Sequence, residues 1–226
     1  GGLYFGEKER GVNAEGLRYV HETLTYDESQ IRRVLTVAFE QARTRGRRLH
    51  NIHKSNVLMS SVLWNEVLDE VHADYPDIEV IPMLVDAAAT ALCLNPSQFD
   101  VMVMENMFGD ILSDLAGGLV GGMGMAACGE IGDQIGLFQP AHGSAPDIMG
   151  QDKANPLAAI LSAGLMLDYL AEKLDQPAYE DAAMILDAAI ETGFALNRLR
   201  PMEFGGDMGT KAVTLTLSSL MDGKMK

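Results

Sequence analysis

The stretch Phe138-Gln-Pro-Ala-His142-Gly-Ser144-Ala-Pro-Asp147-Ile-Met-Gly150, closing at Lys153-Ala-Asn155-Pro156, packs polar and turn-forming residues too densely for a core element. Gly143 and Gly150 free the backbone, Pro140 and Pro146 stiffen it, and His142, Ser144, Asp147 and Asn155 offer mixed donors and acceptors. A loop of this kind suits a ligand that presents both a flat ring and a ribose diol. Taken alone it could equally be a polar surface loop, so its reading depends on what surrounds it.

Around the loop, the chain alternates strand-like and helix-like segments. Asp27-Glu-Ser-Gln30 has the form of a capping box, and Ile31, Val34, Leu35, Ala38, Phe39 and Ala42 follow at helical spacing. Arg43, Arg45, Arg47 and Arg48 cluster near the end of that helix, where its dipole favours positive charge, and read as structural. Leu49 to His53 forms a short segment that delivers Lys54. Trp64, Val67, Leu68 and Val71 mark a second helix, Ile78 to Val85 a strand ending at Asp86, and Asp100 to Met104 another strand. Glycine and small residues then dominate from Gly117 to Gly136, which reads as a hinge or crossing between domains. Within it, Gly122-Met-Gly124-Met-Ala-Ala127 mimics a dinucleotide fingerprint, but that pattern needs a preceding strand and a following helix, so it is set aside. Asn155 is placed to cap a helix over Leu157 to Leu174, which is apolar on nearly every face and expected to be buried. Further helices are expected over Ala178 to Leu196 and from Gly205-Gly206 to about Met221. The alternation predicts an α/β fold, with mixed sheets flanked by helices.

Composition narrows the function classes. A net charge of −15 opposes phosphate backbones and anionic lipid, so neither nucleic acid nor membrane is an expected partner. No stretch approaches the roughly 18 uninterrupted apolar residues of a membrane span. Cys93 and Cys128 are too few and too far apart for a disulfide framework or zinc site, which suits a reducing, cytoplasmic setting.

A second motif, Met102-Val-Met-Glu105-Asn106-Met-Phe-Gly-Asp110-Ile-Leu-Ser-Asp114-Leu-Ala-Gly-Gly118, joins the loop in a single resemblance. Together the two stretches resemble the β-decarboxylating dehydrogenases, the family of isocitrate and isopropylmalate dehydrogenases, and most closely its isopropylmalate branch. Gly1-Gly-Leu-Tyr4-Phe-Gly6, Lys54-Ser-Asn56-Val57-Leu58 and Val85-Asp86-Ala-Ala fall in family order as well, so the resemblance covers essentially the whole chain. Family members carry a further hundred-odd residues upstream. The chain therefore reads as the C-terminal portion of a two-domain fold, without the arginines that clamp substrate carboxylates. By the same resemblance, residues 1–120 form the substrate, metal and dimerisation domain, and residues 121–226 the C-terminal half of the dinucleotide-binding domain.

The resemblance also implies roles. Asp110 and Asp114, four apart on one helical face, with Asp86 as third ligand, would hold Mg²⁺ or Mn²⁺ against the substrate's hydroxyl and carboxylate, Asp86 coming from the neighbouring subunit of a homodimer. Lys54 is the expected base at the hydroxyl, a role that needs a lowered pKa, and Tyr4 the proton donor to carbon after decarboxylation. Val57 would touch the substrate's side chain. His142, Gly143, Ser144, Ala145, Asp147 and Asn155 would line the adenosine site, where the Asp147 carboxylate accepts from a ribose diol and repels a 2′-phosphate, favouring NAD over NADP. The implied reaction is NAD-dependent oxidative decarboxylation of 3-isopropylmalate to 4-methyl-2-oxopentanoate, a step of leucine biosynthesis. Gln139 stands where the family usually has glutamate, and Glu105 where isopropylmalate enzymes more often have glycine. The substrate therefore stays open to isocitrate, homoisocitrate or tartrate. A non-catalytic nucleotide-binding subunit is the alternative of another class, although such a chain would be expected to have lost at least one of Tyr4, Lys54 and the three aspartates.

Overall fold

The structure is a computed structural model that describes residues 1–223, and the chain divides into two compact units, Gly1–Ala116 and Gly117–Lys226. The first unit opens with an antiparallel hairpin, β1 (Lys8–Val12) and β2 (Arg18–Glu22), paired in register from Lys8 opposite Glu22 to Val12 opposite Arg18. The side chain of Asn13 closes its turn by accepting from the backbone N–H groups of Glu15 and Leu17. The hairpin buries no side chain of its own.

Helix α1 (Glu28–Thr44) starts where the capping box predicts: Asp27 accepts from the Gln30 N–H, and the Gln30 side chain accepts from the Asp27 N–H. Its apolar stripe Ile31, Leu35, Ala38, Phe39 and Ala42 is fully turned inward. Three parallel strands follow in the order β4 (Glu79–Leu84), β3 (Arg48–His53), β5 (Val101–Val103). Central β3 is buried on both faces, as a parallel strand covered by helices must be. Leu49 packs with α1 and α2 (Met59–His72), joined by Trp64, Val67 and Val103, while Ile52 packs on the other face with Ala88 and Leu92 of α3 (Val85–Leu94) and Leu112 of α4 (Asn106–Leu119). Pro82 is tolerated because β4 is an edge strand and can spare an N–H.

Asp86 does not end a strand: β4 stops at Leu84, and the alanine-rich run Val85-Asp-Ala-Ala-Ala-Thr-Ala enters α3 at once, which leaves Asp86 in that helix's first turn. Good helix formers directly after a strand leave no room for a loop.

The second unit begins with a 3₁₀ turn at Met123–Met125, then the antiparallel pair β6 (Ala127–Ile131) and β7 (Gly136–Pro140). The glycine-rich segment read as a hinge or crossing between domains starts where the second unit does, at Gly117, and continues as turns and the β6/β7 pair. No α-helix follows Gly122-Met-Gly124, so the fingerprint is rightly discarded. Three helices complete the unit: α5 (Leu157–Leu174), α6 (Pro177–Ala195) and α7 (Thr210–Met221), around a core of Leu157, Leu186, Ile190, Leu199, Val213 and Leu217. Helix α5 is less buried than its composition suggests. It hides Leu157, Ala158, Ser162 and Gly164 but leaves Leu165, Met166 and Leu174 exposed, because the β6/β7 pair and α6 cover only part of its circumference.

Candidate active site

In the first unit the chemistry-bearing residues gather into two pairs. The first lies beside α4. Asp110 projects from that helix, and its Oδ2 accepts a long hydrogen bond of 3.4 Å from the Tyr4 hydroxyl. The negative charge of Asp110 raises the pKa of Tyr4 above its ordinary value, with smaller contributions from burial and from the hydrogen bond. Asp114, one turn further along, is exposed, and among the described residues neither aspartate forms an ion pair. Two such carboxylates on one helical face suit a hard divalent cation that keeps several waters.

The start of α4 is built more firmly than sequence reading anticipated. Glu105, only 6% exposed, accepts from the backbone N–H groups of Met107 (3.0 Å) and Phe108 (3.1 Å) and from the Tyr26 hydroxyl (3.1 Å). The Tyr26 hydroxyl in turn accepts from the Asn106 N–H at 3.0 Å. A carboxylate at a helix N-terminus satisfies donors that have no partner inside the helix and matches the helix dipole. What looked like a departure from the family motif at Glu105 is therefore a cap on the helix that carries Asp110 and Asp114. An acid directly before Asn106 was the available signal, but the partner Tyr26 lies too far along the chain to be read with it.

The second pair lies at the C-terminal end of β3. Lys54 follows that strand directly, its backbone N–H donates to the Ser61 hydroxyl, and its Nζ donates to Asp86 Oδ1 at 2.6 Å. That hydrogen bond holds the Asp86 carboxyl below its usual range. Val57 sits in the turn between Lys54 and α2 and is 69% exposed, so in this chain it touches solvent. Among the described residues, no three acid, histidine or cysteine side chains converge on one point that could hold a metal. Asp86 thus stands with Lys54, and Asp110 with Tyr4.

In the second unit, His142 to Asp147 run as one exposed loop directly after β7. Ala145 adopts a left-handed conformation (φ 43°) and turns the chain into a single 3₁₀ turn, Pro146–Ile148. The Asp147 carboxylate has no hydrogen-bond or ion-pair partner among the described residues, while its backbone carbonyl accepts from the Gln151 side chain at 2.7 Å. A side chain added at Gly143 would meet nothing within 4 Å, so the backbone there is open to approach. His142 Nδ1 lies within hydrogen-bond distance of the Gly143 carbonyl oxygen, at 2.8 Å, and the unpartnered Asp147 carboxylate beside this open backbone fits the ribose end of a dinucleotide. Asn155 behaves differently. It is buried, its Oδ1 accepts from the Leu157 N–H (3.2 Å), and its Nδ2 donates to Glu203 (3.0 Å), so its side chain is spent inside the protein.

Comparison with known proteins places this geometry in context. Residues 1–217 match the family described as isocitrate/isopropylmalate dehydrogenase. The chain is 47% identical over 191 residues to a 3-isopropylmalate dehydrogenase of Carboxydothermus hydrogenoformans, covering 84% of this chain and 50% of that protein. It is 51% identical over 169 residues to a 3-isopropylmalate dehydrogenase of Desulfitobacterium hafniense, covering 75% of this chain and 47% of that protein. The chain spans about half the length of the curated relatives it matches. Among solved structures, isocitrate dehydrogenase from Methylococcus capsulatus superposes with a TM-score of 0.86 at 33% identity, covering 97% of this chain and 64% of that one.

Proposed function

This chain belongs to the isocitrate/isopropylmalate dehydrogenase family, and from that premise we propose that it supplies metal-, substrate- and nucleotide-binding residues to an NAD-dependent oxidative decarboxylation of 3-isopropylmalate. The observation that carries the proposal is the pairing of each proton-handling side chain with a carboxylate: Tyr4 with Asp110, and Lys54 with Asp86. A dehydrogenation followed by decarboxylation needs one proton removed from oxygen and one delivered to carbon. Two separately anchored groups can divide that work.

In this reading Asp110 and Asp114 of one subunit and Asp86 of another hold Mg²⁺ or Mn²⁺. When bound, the cation supplies Lewis-acid polarisation of the substrate oxygen, and NAD supplies the hydride acceptor. Lys54 takes the hydroxyl proton as the hydroxyl carbon is oxidised, and returns a proton to the same oxygen as carbon dioxide departs. Tyr4 then delivers a proton to carbon. Because Lys54 is bonded to Asp86, the subunit that lends Asp86 lends Lys54 as well. The reading therefore requires a homodimer with shared sites. Val57, exposed beside Lys54, is then positioned to meet the substrate's apolar side chain.

On the nucleotide side, Asp147 accepts from the ribose diol, and the backbone of His142 to Ala145 approaches the adenosine. Leucine biosynthesis in the cytoplasm is the accompanying cellular role. The test, made on the complete protein, is NADH formation, followed by absorbance with Mn²⁺ present, on 3-isopropylmalate, isocitrate, homoisocitrate and tartrate. We expect 3-isopropylmalate to give the highest kcat/KM. A preference for one of the other acids overturns the substrate assignment, and nucleotide binding without turnover on any of them points to a non-catalytic subunit.

A further inference from the structure

The glycines that mimic a dinucleotide fingerprint have another use. A Cβ on Gly122 would lie 2.2 Å from Glu203 Oε1, and one on Gly124 would lie 2.2 Å from Glu203 Oε2 and 2.7 Å from the Asn155 Cβ. One on Gly121 would strike the Phe204 ring at 2.7 Å. Gly121 and Gly122 also hold φ values of 114° and 150°, which side-chain-bearing residues rarely adopt. The whole run is therefore a cradle for the turn at Met202–Phe204.

That turn is presented rigidly. Arg200 grips Asp207 through two hydrogen bonds, Nε to Oδ1 at 3.0 Å and a terminal nitrogen to Oδ2 at 3.2 Å, and backbone bonds between Arg200, Met202 and Met208 close the loop beneath it. Glu203 sits at its tip and spends both carboxylate oxygens: one accepts from the Gly124 N–H (2.9 Å), the other from Asn155 Nδ2 (3.0 Å). Asn155 passes the constraint on, since its Oδ1 caps the Leu157 N–H at the start of α5. The neighbouring residues are held from α7, where the Lys211 N–H donates to Asp152 Oδ1 and the Thr210 hydroxyl to the Ala154 carbonyl.

We propose that Glu203 is a positioning residue for the nucleotide: through Asn155 it fixes the base of the His142–Asn155 loop, leaving Asn155 to face the adenosine by its backbone. This rests on the nucleotide-binding reading of that loop. A carboxylate suits the position because both of its oxygens can accept, whereas E203Q keeps one acceptor for two donors and turns its NH₂ against either the Gly124 N–H or the NH₂ of Asn155. Adding N155D to E203Q restores the pattern. The introduced amide then donates to the introduced carboxylate, whose second oxygen still accepts from the Leu157 N–H.

The experiment, made on the complete protein, is isothermal titration of NAD⁺ into the wild type, E203Q and E203Q/N155D, with KM and kcat for NAD⁺ and amide hydrogen exchange of residues 141–157 measured on the same samples. Loss of one such bond should weaken NAD⁺ binding about fivefold or more, raise KM in step and change kcat by less than about twofold. Exchange of the Leu157 amide should rise in E203Q, and the double variant should return both quantities to within about twofold of wild type. Equal impairment of single and double variants overturns the proposal, as does faster exchange in E203Q with unchanged NAD⁺ affinity. A wild type that does not bind NAD⁺ refutes the nucleotide-binding reading instead, and with it the nucleotide role, while the exchange data still decide whether Glu203 holds Asn155.

Discussion

Tyr26→Phe removes one oxygen from the first unit, and its cost can be worked out from the contacts. The hydroxyl donates to the buried Glu105 carboxylate at 3.1 Å and accepts from the Asn106 N–H at 3.0 Å. The ring keeps its edge-on contact with Trp64, whose centroid is 6.3 Å away, so packing changes little. A hydrogen bond to a charged, buried acceptor contributes about 1.5–3 kcal/mol. Asn106 is exposed, so water replaces its lost acceptor and adds only about 0.5 kcal/mol. The sum, about 2–3.5 kcal/mol, lowers the melting temperature of a unit this size by about 8–14 °C.

The same hydroxyl has its pKa pushed from 10.0 up to about 12, by burial first and then by the charge of Glu105, against a lowering bond from the Asn106 N–H. The folded chain therefore keeps a proton that the unfolded chain releases. That stabilisation is fully present below pH 10 and is lost as pH rises toward 12, a limb that the phenylalanine variant lacks. Urea unfolding followed by the fluorescence of Trp64, the only tryptophan of the chain, reports on this unit. The stability gap between wild type and variant should be largest near neutral pH and shrink above pH 10. A gap under about 0.5 kcal/mol near neutrality, or one that does not change with pH, refutes the cap on α4.

Other predictions concern the chemistry of the complete protein. Asp147→Lys exchanges a repulsive group for an attractive one at the 2′-phosphate position, so the NAD:NADP ratio of kcat/KM should fall by about two orders of magnitude; an unmoved ratio removes Asp147 from the ribose. Asp110→Asn and Asp114→Asn should each raise the Mn²⁺ concentration needed for half-maximal activity about tenfold or more, and metal dependence unchanged in both returns them to a solvated helix face. Lys54→Ala should impair hydride transfer itself, whereas Tyr4→Phe should chiefly slow the steps after it. Supplying the 2-oxo-β-carboxylate intermediate separates the two stages, and identical defects there contradict the division of labour.

How much of this was legible beforehand depended on the sequence separation of the partners. The capping box at Asp27 and the stripe from Ile31 to Ala42 are local and gave α1 directly, and the alternation of strand and helix gave a sheet covered by helices, though not its parallel pairing. The two long motifs gave the family. Helix α5 misled because apolar composition states what a residue can bury, whereas burial depends on what the neighbouring elements cover. Asp86 misled by two residues, at a strand-to-helix junction where boundaries are least defined. Glu203 was invisible. Its partners Gly124 and Asn155 lie 79 and 48 residues away, and the glycines that admit it resembled a phosphate loop. Tyr26 and Glu105, 79 residues apart, were hidden for the same reason.

The separation of Tyr4 and Asp110 from Lys54 and Asp86 has a genetic consequence. If each catalytic centre draws the first pair from one chain and the second from its partner, two inactive alleles can repair each other. A Tyr4→Phe chain and a Lys54→Ala chain, co-expressed and assorting at random, form hybrid dimers in which one centre carries both lesions and the other carries none. Half of the dimers are hybrids and half of their centres are intact, so about one quarter of wild-type activity returns from two parents that each have almost none. Centres built within a single chain would give no such complementation, so a simple cross between two null alleles reads out the geometry of the site.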